Sequence, residues 1–330
     1  MCELSNKLKN KVISITGASG YIGSALVKKL ESYSVSKIIR ISSKKLPPKN
    51  EIVDWVLDLN EKNSWIKIVS ESDIIIHLSG NTSISVAENN PKVSLMSTVL
   101  PVINLINASK ELSLKPRVIF ASTVTIYGLT EEFPITEAHI SAPETSYDLH
   151  KFFAEQELKI ASNNNLIDAI SLRLSNVYGP SINESTAHDR GILSKVTKMS
   201  FENKSLQVYG KGDYVRDYIY IDDAVSAFLY ASIIDYGEIR KKSEIIFNVA
   251  SGKGMSVKDV FTLISNEVGK FTGVQLEVKN APWPNGINII EKRNFIGSAR
   301  RLKLMSGWSS STSIEEGICL LVKHYSKEYS

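Results

Sequence analysis

The feature that most constrains this chain is Gly17-Ala-Ser-Gly20-Tyr-Ile-Gly23, because of what stands on either side of it. A β-branched run, Lys11-Val-Ile-Ser-Ile15, leads directly into it. Ser24-Ala-Leu-Val-Lys-Lys-Leu30 follows, with apolar residues at helical spacing. Glycines at this spacing are common, and alone they would mark only a turn. Between a strand and a helix they suit a pyrophosphate site. Gly17 permits the tight turn, Gly20 lets backbone N–H groups approach the anion, and Gly23 allows close helix–strand packing. The helix N-terminus adds a favourable field for negative charge.

The same alternation continues through the first half. Lys37–Ile41, Trp55–Asp58, Asp73–Leu78, Arg117–Ala121 and Asp168–Leu174 read as strands, with one helix-like stretch from about Lys92 to Leu112. Short apolar runs separated by amphipathic ones predict an α/β chain with a doubly wound parallel sheet of Rossmann type. Beyond residue 174 the alternation loosens. Phe247–Ala250 reads as a late short strand, and Ser256–Ile264 as a helix with Ser256 at its N-cap. A length of 330 residues fits one large α/β domain or two domains.

The net charge is +4, from 39 basic and 35 acidic residues, with no clustered basic run. That balance argues against a nucleic-acid partner. Cys2 and Cys319 match no metal or redox spacing, so no metal site is expected. The longest apolar runs fall short of the roughly 18 residues of a membrane span. The N-terminus shows no apolar targeting core, and a cytoplasmic location is expected.

Cofactor choice should be made at the end of the second strand. No carboxylate stands there to bind an adenosine ribose diol; the residues are Ser42, Ser43, Lys44 and Lys45. Hydroxyls and ammoniums suit a 2′-phosphate, so NADP is favoured and NAD remains possible. Asp58 could accept from the adenine amino group or cap the next helix.

Tyr147-Asp-Leu-His-Lys151 puts a phenol and an ammonium on one face of a helix. Tyr33 and Lys37 repeat the spacing in a loop-to-strand connection, so the pair needs other support. Phe120-Ala-Ser-Thr123-Val-Thr125-Ile-Tyr127-Gly128 provides it, ending the fifth strand with hydroxyls where a doubly wound sheet binds ligands. Thr123 completes a hydroxyl–phenol–ammonium set. With Gly17–Gly23, His77-Leu-Ser-Gly80, Arg173-Leu-Ser-Asn176-Val-Tyr-Gly-Pro180, Val208-Tyr-Gly-Lys-Gly-Asp213, Arg216-Asp-Tyr-Ile-Tyr-Ile-Asp-Asp223, Phe247–Gly252 and Gly307-Trp308, the chain resembles the extended short-chain dehydrogenase/reductase family. Specifically, it is similar to the sugar-nucleotide epimerase, dehydratase and reductase branch, over nearly its whole length.

The resemblance implies a Rossmann domain of residues 1–176 with about 217–250. A smaller, mostly C-terminal nucleotide-sugar domain would take 177–216 and 251–330. Tyr21, Ile22, Leu59, Leu78, Ser79, Gly80 and Tyr147 would join the cofactor contacts, and Lys151 would bind the nicotinamide ribose. Asn176 and Arg216 would hold the diphosphate of a nucleoside-diphosphate sugar, with Gln207, Val208 and Tyr209 against the base. A free tyrosine titrates near 10. Lys151 and the cationic nicotinamide are expected to lower that value, so that Tyr147 exchanges a proton with the sugar oxygen while Thr123 orients it.

Departures from the family pattern narrow the reaction. Val124 and Thr125 replace the Asp-Glu pair of the 4,6-dehydratases, and Thr125 replaces a cysteine of the fucose-forming epimerase-reductases. Ser298-Ala-Arg300-Arg301 lacks a common aspartate, which leaves nucleotide contacts there open. Reduction of a 4-keto-6-deoxy sugar is the first expectation and 4-epimerisation with retained NAD the second. A non-catalytic NADP sensor is the reading from another class. The resemblance also implies a homodimer; Val99, Val102, Leu105 and Ile106 fit either its interface or an ordinary core.

Overall fold

The computed structural model describes residues 2–80, 82–182, 191–242 and 244–329. Part of the expected second domain, 183–190, therefore lies outside the described residues. Six strands of the first half are β1 (Val12–Thr16), β2 (Lys37–Ser42), β3 (Ile52–Val56), β4 (Ile74–His77), β5 (Arg117–Thr123) and β6 (Asp168–Leu174). After them come β7 (Asn176–Tyr178), β8 (Leu206–Tyr209), β9 (Val215–Tyr220), β10 (Ile246–Val249), β11 (Gly254–Ser256) and β12 (Val278–Ala281).

One parallel sheet takes the order β10-β6-β5-β4-β1-β2-β3. Its central strands read as unbroken apolar runs because helices cover both faces; Ile13, Ile15, Ile39, Ile75, Ile76, Ile119 and Phe120 are all fully buried. The order reverses between β1 and β4, which opens a crevice beyond their carboxyl ends. This is the doubly wound Rossmann-type arrangement.

Three boundaries differ from expectation for identifiable reasons. The third strand is Ile52–Val56 rather than Trp55–Asp58, because Asp54 faces Arg40 on β2 and bonds it at 2.6 and 2.7 Å. The helix after the glycines starts at Tyr21, inside the string, with Gly20 as its N-cap. The expected Lys92–Leu112 helix is two helices, Pro91–Thr98 and Leu100–Leu112. Pro101 has no N–H to continue a helix, and it sits in the first turn of the second one, where none is needed. Ser256 does cap Val257–Thr272, accepting from the Asp259 N–H at 3.0 Å.

A smaller set of strands stands beyond the carboxyl edge. β7 and β11 flank β9 in one sheet, and β8 pairs with β12 in another. Residues 217–220 thus pair with the small sheet rather than with the main one. Val102 and Leu105 are fully buried within the chain and Val99 nearly so, while Ile106 packs partly buried against the core. No helix among the described residues is long and apolar enough to cross a membrane.

Candidate active site

The carboxyl edge of the main sheet carries a cleft of about 1310 Å³. Gly17, Gly20, Tyr21, Ile22 and Gly23 line one end, with Ser42, Ser43, Asp58, Leu59, Leu78, Ser79 and Gly80 around it. The backbone fits a pyrophosphate in a way that side chains would spoil. Gly17 has φ +66°, and a Cβ there would come within 2.9 Å of the Ser79 nitrogen. A Cβ on Gly23 would sit 2.2 Å from the Gly17 carbonyl oxygen, so the helix could not approach the turn. Tyr21 donates to the Gly179 carbonyl at 2.9 Å, tying this turn to the start of the second region.

At the β2 terminus, Ser42 and Ser43 line the cleft while Lys44 is exposed. The Ser42 hydroxyl donates to the Lys44 carbonyl and so folds the loop back. Asp58 accepts from the Asn60 N–H at 2.9 Å; it closes a turn rather than capping the next helix, whose N-cap is Glu61.

Thr123, Tyr147 and Lys151 line the other end of the same cleft. β5 delivers Thr123, and the Ser146–Asn163 helix delivers the other two from its first two turns. Thr145 caps that helix by accepting from the Asp148 N–H at 3.1 Å. Tyr33 lies in a turn and Lys37 opens β2, so their matching spacing puts nothing on a helix.

Burial works against the expected lowering of the phenol. Burial pushes the Tyr147 phenol up to about 12, and the Asp148 carboxylate adds to the rise. A hydrogen bond with Thr123 and the charge of Arg293 oppose it. Lys151 Nζ donates to the Ala121 carbonyl at 2.8 Å and lies 4.6 Å from the centre of the Phe120 ring. Burial lowers its ammonium to about 8, with Glu155 pulling the other way. These surroundings by themselves favour the protonated phenol.

A second cavity of about 850 Å³ shares Val177 and Gly191 with the first. Asn176, Gln207, Val208, Tyr209 and Arg216 all line it, so the expected substrate contacts are gathered in one place. Asn176 donates to the Asp217 carbonyl at 3.0 Å. Arg216 is buried and donates to the Arg293 carbonyl and, at 2.6 Å, to the Glu291 carbonyl. Its plane lies 4.9 Å from the Tyr214 ring. Asp217, its sequence neighbour, instead takes N–H groups of Ser251, Gly252 and Gly297 at 2.8, 3.0 and 3.2 Å. Arg301 pairs with Glu137 and Glu244 at 3.6 and 3.5 Å, which turns it to structural work.

Sequence reasoning missed Arg293, Trp283 and Asp148. Arg293 is buried in the second cavity beside Arg216, and its Nε has no hydrogen-bond partner among the described residues. Trp283 lies 5.5 Å from Tyr209 and 5.4 Å from Tyr214, ring centre to ring centre. A lone arginine in Lys292-Arg293-Asn294 gives no sequence signal. Asp148 did have one, since Thr145-x-x-Asp148 is a helix-start pattern inside the stretch already singled out.

A family model described as the NAD dependent epimerase/dehydratase family matches residues 13–250. A Methanocaldococcus jannaschii protein provisionally named a UDP-glucose 4-epimerase is 28% identical over 313 residues, covering 93% of this chain and 96% of its own. The dTDP-4-dehydro-6-deoxyglucose reductase of Escherichia coli is 27% identical over 326 residues, covering 96% and 97%. Among solved structures, the UDP-glucose 4-epimerase of Thermotoga maritima with UDP-glucose superposes with a TM-score of 0.81 at 26% identity, covering 97% of this chain and 100% of that one.

Proposed function

The chain belongs to the NAD dependent epimerase/dehydratase family, and from that premise we propose that it reduces the C4 keto group of a nucleoside-diphosphate 4-keto-6-deoxyhexose. The observation that carries this reading is the half-buried Tyr147 phenol set against Thr123 at the carboxyl end of β5, where its surroundings favour the acid form. A phenol held in its acid form is a proton donor, which is what a carbonyl oxygen needs as it becomes a hydroxyl. Thr123 holds that oxygen, and Lys151 binds the ribose at the same end of the cleft. A nicotinamide cofactor, when bound along the cleft, supplies the hydride.

The absence of a carboxylate among Ser42, Ser43 and Lys44 supports NADP over NAD. Residues 177–216 and 251–330 supply most of the nucleotide-sugar site. Asn176 and the Arg216 guanidinium hold the diphosphate there, with Gln207, Val208 and Tyr209 against the base. Exposed Leu95, Met96 and Phe153 on neighbouring helices support a homodimer. Light scattering on the eluting peak tests that; a monomer at working concentration removes it.

A second reading is 4-epimerisation, favoured by the UDP-glucose 4-epimerase names of two relatives. Purified protein separates the two. Rapid oxidation of NADPH, and not NADH, by a nucleotide 4-keto-6-deoxy sugar is the expected result. A nicotinamide cofactor that survives dialysis, with interconversion of 4-epimers and no net NADPH loss, would replace the reductase with the epimerase.

A further inference from the structure

Behind the reacting groups runs a buried chain of hydroxyls that ends on a carboxylate. The Tyr147 phenol hydrogen-bonds Thr123. Thr123 Oγ1 lies 2.8 Å from Thr125 Oγ1, and Thr125 donates to Asp148 Oδ1. Asp148 is fully buried, and its other oxygen accepts from the Thr145 hydroxyl at 2.7 Å. Thr125 is buried as well. With the carboxylate ionised, every hydroxyl can point the same way, from phenol to Thr123 to Thr125 to Asp148.

We propose that Asp148 exchanges a proton with Tyr147 through Thr125 and Thr123, returning the phenol to its acid form within the buried site. This rests on the reductase reading above. After Tyr147 has given its proton to the sugar oxygen, the Asp148 carboxyl releases one to Thr125. Thr125 passes its own proton to Thr123, and Thr123 passes its own to the phenolate. Each threonine loses one O–H bond and gains one; the carboxylate is left ionised and takes up a proton from water before the next turnover. Asp148 acts only through the two threonines and is a positioning residue, not a catalytic one.

The surroundings suit a carboxyl that changes charge. Burial raises its affinity for a proton, and Glu88 on the Ile84–Asn89 helix does the same. The bonds from Thr125 and Thr145 and the charge of Arg293, beyond the Ile289–Lys292 turn, pull the other way. Tyr147 on its own helix is a further titratable neighbour.

Asp148→Asn keeps an acceptor for Thr125 and a partner for Thr145 but cannot release a proton. Thr125→Val cuts the chain, and Thr125→Ser restores it. If wild-type protein reduces a nucleotide 4-keto sugar, Asp148→Asn and Thr125→Val should each lower kcat roughly 10- to 100-fold. The KM should hold, a limb of the kcat–pH profile should disappear, and Thr125→Ser should recover the loss. Unchanged kcat and pH profile in both variants overturn the relay and leave the reductase reading standing. A loss that comes with a lower unfolding midpoint and no change of pH profile assigns Asp148 to helix capping and also overturns it.

If wild-type protein turns over no nucleotide sugar, the reductase reading has failed, and the phenol titration, measured as the ultraviolet difference between wild-type and Tyr147→Phe protein, decides the relay. Asp148→Asn and Thr125→Val should then both displace it, and no displacement in either overturns the relay.

Discussion

The two cavities that meet at Val177 are built on opposite plans. The larger cleft is shaped by backbone at the ends of successive strands: the Gly17–Gly23 turn, the β2 terminus, and Leu78 to Gly80 after β4. The smaller one is assembled from side chains far apart in the chain, from Asn176 through Arg216 to Trp283 and Arg293. Its two arginines are buried and held by carbonyl oxygens rather than carboxylates. A guanidinium solvated by backbone keeps its full charge for an anion, whereas one paired with aspartate would be half neutralised. The difference teaches that one cavity is shaped by leaving room and the other by stored charge.

Tyr147 stands where the cavities are compared most severely. Tyr147→Phe should lower kcat about 1000-fold while leaving NADPH affinity unchanged, because only the proton donor is removed. Stopped-flow turnover beside fluorescence titration of the cofactor checks it; a lost cofactor affinity would mean the phenol belongs to the cleft's frame. Next in size, Arg216→Ala should raise the KM for the nucleotide sugar by about 100-fold, an effect near 3 kcal/mol for a buried cation facing an anion. If NADPH affinity falls with it, the division between the cavities is broken.

Gly23→Ala tests the other plan. Its Cβ would meet the Gly17 carbonyl oxygen at 2.2 Å, so the helix must shift, costing about 2 kcal/mol. A urea midpoint that falls together with NADPH affinity is expected; an unchanged midpoint would show the turn to be looser than its geometry.

The smallest effect is a pH limb. Burial lowers the Lys151 ammonium to about 8, so it should lose its charge above that value. The ammonium is the form that binds ribose, so kcat/KM for NADPH, which reports the free enzyme, should fall about tenfold per unit above that value. Lys151→Arg should move the limb upward. A profile flat to the highest pH tolerated would detach Lys151 from the cofactor.

The Gly17–Gly23 turn, the parallel sheet and the Tyr147–Lys151 face were legible in the sequence because each rests on local rules. A strand, a glycine where φ is positive and a helical spacing all operate within a few residues. The break at Val99 was missed, although Pro101 stood within the expected helix as its local cause. The displaced third strand was not legible, because its register follows the Arg40–Asp54 pair across two strands.

Electrostatics divides along the same line. The order of residues by itself marked Thr123, Tyr147 and Lys151 as candidates for moving a proton and the Gly17–Gly23 backbone as one that could approach a phosphate. Only the tertiary structure decided that Lys151 is held by the Ala121 carbonyl, that Arg293 is the cation bearing on the phenol, and that Asp148 closes the hydroxyl chain. Burial and distance set the strength of a charge, and neither exists until strands and helices from opposite ends of the chain have packed together.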